Sequence, residues 1–223
     1  MHDNAAIAAA LVRRLGLKRP PIAISLLPEL PASARLTEPV SFCQMWAKAM
    51  GGETVYATAR EESCGGGAYY LGLAEASPEM RTGVLLSRVL HLNRTPMAAV
   101  RTTLASPRIP YGTGTAVLCQ PLENAGPDAD VVMIVCNPAA AMTLSDAVIY
   151  GSGGYMEGIT GPAACSVAVA HPYLSGKPTY CAADTGSREY MQLADDEMIV
   201  SIPGDRLREI ARNLEEMVSY RTG

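Results

Sequence analysis

The sequence predicts a single α/β domain over residues 1–223, a sheet with covering helices. Three observations lead there. Two short apolar runs, 22–27 and 131–136, are bounded by turn residues, as buried strands are. Capped helical stretches alternate with such runs along the chain, the pattern of α/β proteins. Hydrophobic residues make up 48% of the 223, ample for one core.

In chain order, an alanine-rich stretch at 4–15 reads as a helix that packs by Ile7, Leu11 and Leu15 and stops at Gly16. The run 22–27, after Pro20-Pro21 and before Pro28, reads as a buried strand, and 31–39 as loop. Ser41 sits where an N-cap should, so 42–50 is a short helix with Cys43 in its first turn, stopped by Gly51-Gly52. Residues 54–58 follow as a strand, and 64–73 as a glycine loop that runs into a helix. Stretches 79–92 and 95–104 look helical, and 106–114 is a connector. Strands are expected at 116–120 and 131–136, a short helix at 142–149, and loop at 151–161. A helix is expected over 162–170 with Pro162 at its first position, which puts Cys165 in a first turn as well. A strand end at 176–182, a strand at 198–202 and a helix at 205–220 capped by Asp205 close the chain.

Laid side by side, about 20–75 and 130–190 form two similar βαβ halves. In this alignment Cys43 matches Cys165 and Cys64 matches Cys181, and a pseudo-twofold would gather all four.

Several classes are excluded. Eighteen Lys and Arg against 22 Asp and Glu leave a net charge of −4 with mixed signs, so nucleic acid is not an expected partner. The apolar stretch 5–12 is far shorter than the roughly 18 residues a membrane span needs. Arg13 and Arg14 follow that stretch, which fits neither a signal peptide nor a twin-arginine leader; the expected address is the cytoplasm.

Six cysteines in a reducing compartment point to metal or catalysis. Cys119 and Cys136 lie in strand runs and read as small core hydrophobes. Cys43, Cys64, Cys165 and Cys181 lie at element ends, and helix N-termini favour thiolate over thiol. Gly65, Gly66 and Gly67 let backbone amides approach a cluster or an anion. No phosphate-loop lysine follows them, so no nucleotide is expected. Arg188 is a candidate clamp for an anionic substrate, and Tyr69 a polar tip in the same pocket. His171 reads as a cation at a helix C-terminus, or as a ligand.

These pieces resemble a family, the archaeal and bacterial proteins grouped as domain of unknown function 169, or ArCR. The resemblance rests on Pro21-Ile22-Ala23-Ile24, Cys43-Gln44, Cys64-Gly65-Gly66-Gly67-Ala68-Tyr69 and Leu71-Gly72-Leu73. More loosely it rests on Cys165, the stretch from Cys181 to Arg188, and Glu197 with Ile202-Pro203. Cys181-Ala182-Ala183-Asp184 departs from the more glycine-rich form expected there. The resemblance implies cysteine positions and no reaction.

The expected function is therefore an iron–sulfur protein, redox or catalytic, with an oxidoreductase or lyase activity. Cys43, Cys64, Cys165 and Cys181 would hold a cluster of the 4Fe–4S kind beside a pocket for a small anionic ligand, served by a redox partner protein. Zinc is the competing metal. Two other classes are a metal-free enzyme with Cys64 as nucleophile and a small-molecule-binding module.

Overall fold

The computed structural model describes residues 4–127 and 129–222. The helices are α1 (Asn4–Leu15), α2 (Phe42–Met50), α3 (Gly65–Tyr70), α4 (Pro78–Arg81), α5 (Pro96–Ala105), α6 (Pro138–Ile149), α7 (His171–Ser175), α8 (Thr185–Tyr190) and α9 (Leu207–Thr222). The strands are β1 (Ile22–Leu27), β2 (Val55–Thr58), β3 (Ala116–Pro121), β4 (Val131–Cys136), β5 (Glu157–Gly158), β6 (Thr179–Cys181) and β7 (Met198–Pro203). They form one open sheet in the order β2-β3-β1-β4-β7-β6-β5. All neighbours are antiparallel except β5 and β6.

Local chemistry explains most boundaries. Ser41 caps α2 through a capping box, its hydroxyl taking the Gln44 amide while the Gln44 side chain takes the Ser41 amide at 2.9 Å. Asn137 caps α6 by accepting from the Ala140 amide at 2.9 Å, with Pro138 in the first turn. That helix therefore starts well before the expected 142. The helical stretch expected at 79–92 is broken instead: α4 ends, Gly83 takes φ +75°, and a π-helical turn follows at Leu85–Val89. Only glycine fits at 83, because a Cβ there would stand 2.2 Å from the Pro96 carbonyl oxygen.

Three further expectations change. The glycine run is helical, with Cys64 as the N-cap of α3. Pro162 lies outside its helix, which runs as a π-helical segment, Cys165–Ala170, and continues as α7 to a left-handed Gly176. His171 thus sits at an internal junction of that helix and not at its C-terminus. A turn at Gly204–Arg206 precedes α9, so Asp205 is not its cap.

Alternation along the strands sends two cores to opposite faces of the sheet. Ala23, Val132, Ile134 and Ile202 face α1, α6 and α9. Ile22, Ile24, Val131, Met133 and Ile199 face α2, α3 and the helix that starts at Cys165.

The sheet repeats itself about its centre. Ile22 pairs with Met133, Ala23 with Val132 and Ile24 with Val131, so the Ala23–Val132 pair marks a pseudo-twofold axis. Ladders match on either side: Ile22 opposes Pro121 and Leu27 opposes Ala116, as Val131 opposes Pro203 and Cys136 opposes Met198. Even the exits match, since Leu122 donates to the Pro21 carbonyl at 2.9 Å and Gly204 to the Asp130 carbonyl at 2.8 Å. Continuing the register outward, Val55 opposes Cys119 and Thr179 opposes Ser201, which makes Cys181 the counterpart of Ala57. The pairing of Cys64 with Cys181 expected from the alignment of halves is replaced: α3 and α8 are the matching helices, and their N-caps are Cys64 and Asp184. Cys43 and Cys165 do match, each in the first turn of its helix.

Ile24 is fully buried next to this axis, whereas Leu104 is 77% exposed. Ile24→Ala should cost about 2–5 kcal/mol of unfolding free energy. Leu104→Ala should stay within about 0.5 kcal/mol. Urea denaturation of the two variants checks both.

Candidate functional site

Three helix starts converge on the face of the sheet that carries α2. Cys43 lies in the first turn of α2, Cys64 at the N-cap of α3, and Cys165 at the start of the π-helical segment. Cys64 is exposed, Cys43 half-buried and Cys165 buried. The three thiols lie within electrostatic reach of one another.

Two carboxylates tie the helix starts together. Glu62 Oε1 accepts the Cys64 amide at 2.6 Å, and the Phe42 amide at the start of α2 also acts on this carboxyl. Its other oxygen, Oε2, is buried without a partner. Asp184 does the same in the second half. It caps α8 through the Ser187 amide at 3.0 Å and accepts the Ala164 amide, at the start of the Cys165 helix, at 2.6 Å. The Ser187 hydroxyl donates to Asp184 Oδ2 and lies 3.1 Å from Cys43 Sγ.

The electrostatics of this group run one way. Burial pushes the Cys43 thiol up to about 12, and Asp184, Cys64 and Glu62 push in the same direction against the Ser187 contact. Cys165 is raised well above an ordinary thiol, by burial first and then by Cys43, Cys64, Asp184 and Glu62. Burial also lifts the Glu62 carboxyl to about 8, although the Cys64 and Phe42 amides pull it back. Every charged group acting on Cys43 and Cys165 is itself an acid. As they stand, no three His, Cys, Asp or Glu side chains among the described residues are gathered to hold a metal ion.

A family model described as uncharacterised ArCR, domain of unknown function 169, matches residues 10–213, nearly the whole of the fold just described. The chain belongs to the ArCR family. An uncharacterised protein of Methanocaldococcus jannaschii is 28% identical over 216 residues, covering 93% of this chain and 92% of its own. No solved structure matches. Cys43-Gln44 and Cys64-Gly65-Gly66-Gly67, on which the resemblance to this family rests, lie at helix starts that meet at the site.

The other residues singled out from the sequence take varied places in this ArCR chain. Gly65 borders open space, while Gly66 lies beside the Cys64 sulfur. A Cβ on Gly67 would come within 2.8 Å of the Phe42 ring and 3.0 Å of the Glu62 carboxyl carbon, so this glycine lets α3 pack against α2. Arg188 spends its guanidinium on the carbonyls of Ala182, Ala194 and Glu197, which locks α8 to the loop after it. Tyr69 is buried under the Arg108 guanidinium, 4.8 Å from its ring centre. Cys181 is buried on β6, its thiol raised to about 11 by burial first and with Asp184 as its charged neighbour; none of the three cysteines acts on it. His171 answers to Glu157 and Lys177, not to a cysteine. Cys119 lies in the sheet core with Glu62 as its charged neighbour. Cys136 faces the opposite core and lines a shallow pocket with Lys18, Asn137 and Glu197.

Glu62 and Ser187 did not stand out in the sequence. Glu62 is an acid two residues before a thiol, and Asp184-Thr185-Gly186-Ser187 is a capping pattern that reads equally as a loop.

Two outcomes follow from these contacts. In metal-free protein the folded Glu62 keeps its proton up to about pH 8, while the unfolded chain loses it near 4.5. Stability should therefore fall as pH rises through that window, by about 1.4 kcal/mol per unit from this group. Glu62→Gln should flatten the slope, as read by urea unfolding at several pH values. Arg188→Ala should lower stability by about 1.5–3 kcal/mol, the scale of hydrogen bonds to a charged group, in the same denaturation measurement.

Proposed function

We propose that this protein holds an iron–sulfur cluster of the 4Fe–4S kind through Cys43, Cys64 and Cys165 and works as a redox or lyase enzyme. The observation that carries this reading is a group of acids with no cation. Three thiols and the carboxyls of Glu62 and Asp184 face one another at three helix starts, and among the described residues the main charged neighbours of Cys43 and Cys165 are these other acids. A thiol nucleophile needs a neighbouring cation or base to become a thiolate at neutral pH. At Cys43 and Cys165 the neighbours do the opposite, which counts against either of these two as the nucleophile of a metal-free enzyme. A bound metal centre supplies the missing positive charge, takes the thiols as thiolates and displaces their protons. Soft sulfur donors at this count suit iron–sulfur clusters, and helix N-termini add amide dipoles toward the sulfurs.

Three thiolates leave one iron of a four-iron cluster open. The exposed side of the group is at Cys64 and Gly65, where there is space for a small anionic ligand. Cys181 stays outside this set because none of the three thiols acts on it. All six cysteines are free, which suits a reducing cytoplasm.

Protein purified without oxygen should be brown, absorb near ~400 nm and carry about four irons and four sulfides. Cys43→Ser, Cys64→Ser and Cys165→Ser should each remove most of the iron. Cys119→Ser, Cys136→Ser and Cys181→Ser should leave it in place. Colourless protein with stoichiometric zinc overturns the reading, and iron loss in Cys181→Ser overturns the three-sulfur version of it.

A further inference from the structure

The helices between β2 and β3 show an outward face that a water-facing surface does not call for. Arg81 at the end of α4, and Val84 and Arg88 beyond the left-handed Gly83, are exposed. Met97, Arg101 and Leu104 are exposed at helical spacing along α5, Met97 62% and Leu104 77%, and Arg108 is exposed past its end. Ala99 and Thr103, on the other side of α5, are buried. Arginine and large aliphatic side chains therefore share the outward side of these segments, where a solvated helix would carry mixed charges. Residues 78–108 hold five arginines against one acid, Glu79, in a chain whose net charge is −4. Arg88, Arg94 and Arg101 make no ion pair among the described residues.

We propose that this face docks a small acidic electron-carrier protein. Unpaired arginines around exposed aliphatic groups fit an acidic, partly apolar protein surface; arginine and methionine are enriched at such interfaces, and lysine is depleted. Residues 78–108 contain no lysine and no aromatic residue, unlike the lysine- and tryptophan-bearing segments that lie on membranes. A second copy joined by twofold symmetry would set these arginines against themselves.

The face also adjoins the site. The Ser166 hydroxyl, next to Cys165, donates to the Pro107 carbonyl at 2.6 Å, and the Ile109 amide donates to the Tyr70 carbonyl at 3.0 Å. Arg108 lies on Tyr69 of α3, the helix that begins at Cys64. A carrier seated here rests on the segment whose inner side touches the helices that begin at two of the three cysteines. Were Cys43, Cys64 and Cys165 to hold a cluster, the carrier's reduced centre would supply it one electron, with no bond made or broken between the proteins. The electron-transfer step rests on the cluster reading above; the docking does not.

The test titrates the intact protein with an acidic ferredoxin and with an acidic flavodoxin, by calorimetry at about 50 mM and about 300 mM salt. Micromolar binding to at least one carrier at low salt is expected. The double variant R88E/R101E, at two exposed positions, should weaken it by about tenfold or more, with an unchanged circular dichroism spectrum. No binding of either carrier, or binding that ignores the double variant, overturns the proposal. So does arginine-dependent binding to phosphatidylglycerol vesicles, or self-association through this face in sedimentation. The Cys43→Ser protein separates the two readings: arginine-dependent binding without iron in either protein upholds the docking face and overturns the cluster.

Discussion

Three residue pairs between β1 and β4 set the frame on which everything else is mounted. Because Ala23 pairs with Val132, and its neighbours pair symmetrically around it, the chain on one side of the sheet is placed as the chain on the other. A slip of one residue would turn every side chain of a strand to the opposite face. Ile22, Ile24, Val131 and Met133 would then leave the core under α2 and the Cys165 helix. The register therefore fixes where those two helices lie, and with them Cys43 and Cys165. The fully buried β4 could not tolerate the exchange, since its two faces feed two separate cores.

On that frame each half uses one carboxylate to hold two helix starts. Glu62 serves α2 and α3, and Asp184 serves the Cys165 helix and α8. Helix N-termini welcome negative charge, because their first amides have no partner within the helix. Burial works against that charge, and for Glu62 burial wins: its carboxyl stays protonated to about pH 8 with one oxygen unpartnered. Such a buried group costs stability. That cost is carried at the point where Glu62 ties the starts of α2 and α3 together.

Much of this was legible in the sequence, for identifiable reasons. Strands β1 and β4 are short apolar runs between turn residues, and α2 carries a Ser41 cap and a Gly51 stop, so local chemistry alone places them. The first-turn position of Cys43 follows from that cap; Cys165 keeps its place at a helix start although Pro162, the expected first residue, lies outside the helix. Local chemistry failed where tertiary contacts decide. Three successive glycines disfavour a helix, yet Gly65–Tyr70 is one because only a residue without a Cβ lets α3 approach Phe42 and Glu62. Arg188 is equally informative: a conspicuous arginine near a cysteine suggests a ligand, while its carbonyl partners at 182, 194 and 197 are invisible until the loop is folded. Cys181 was matched to Cys64 by spacing along the chain, whereas strand register, which spacing does not encode, matches it to Ala57.

At one pair of matching helix starts the two halves carry different chemistry, and the candidate site sits there. At the matching N-caps of α3 and α8 the first half has Cys64 and the second has Asp184. Asp184 is fully engaged, accepting from two amides and a hydroxyl, so it holds structure. Cys64 makes no capping bond with its side chain and is exposed, so its sulfur is free to bind something else. A helix start that gives up its cap loses about 1 kcal/mol, a cost borne on one side of the axis only. Of the two symmetric thiols Cys43 is half-buried and Cys165 buried, and the third, Cys64, faces solvent next to the open space at Gly65. Symmetry places a pair of thiols, and the change of cap from Asp184 to Cys64 places a third thiol at the exposed side.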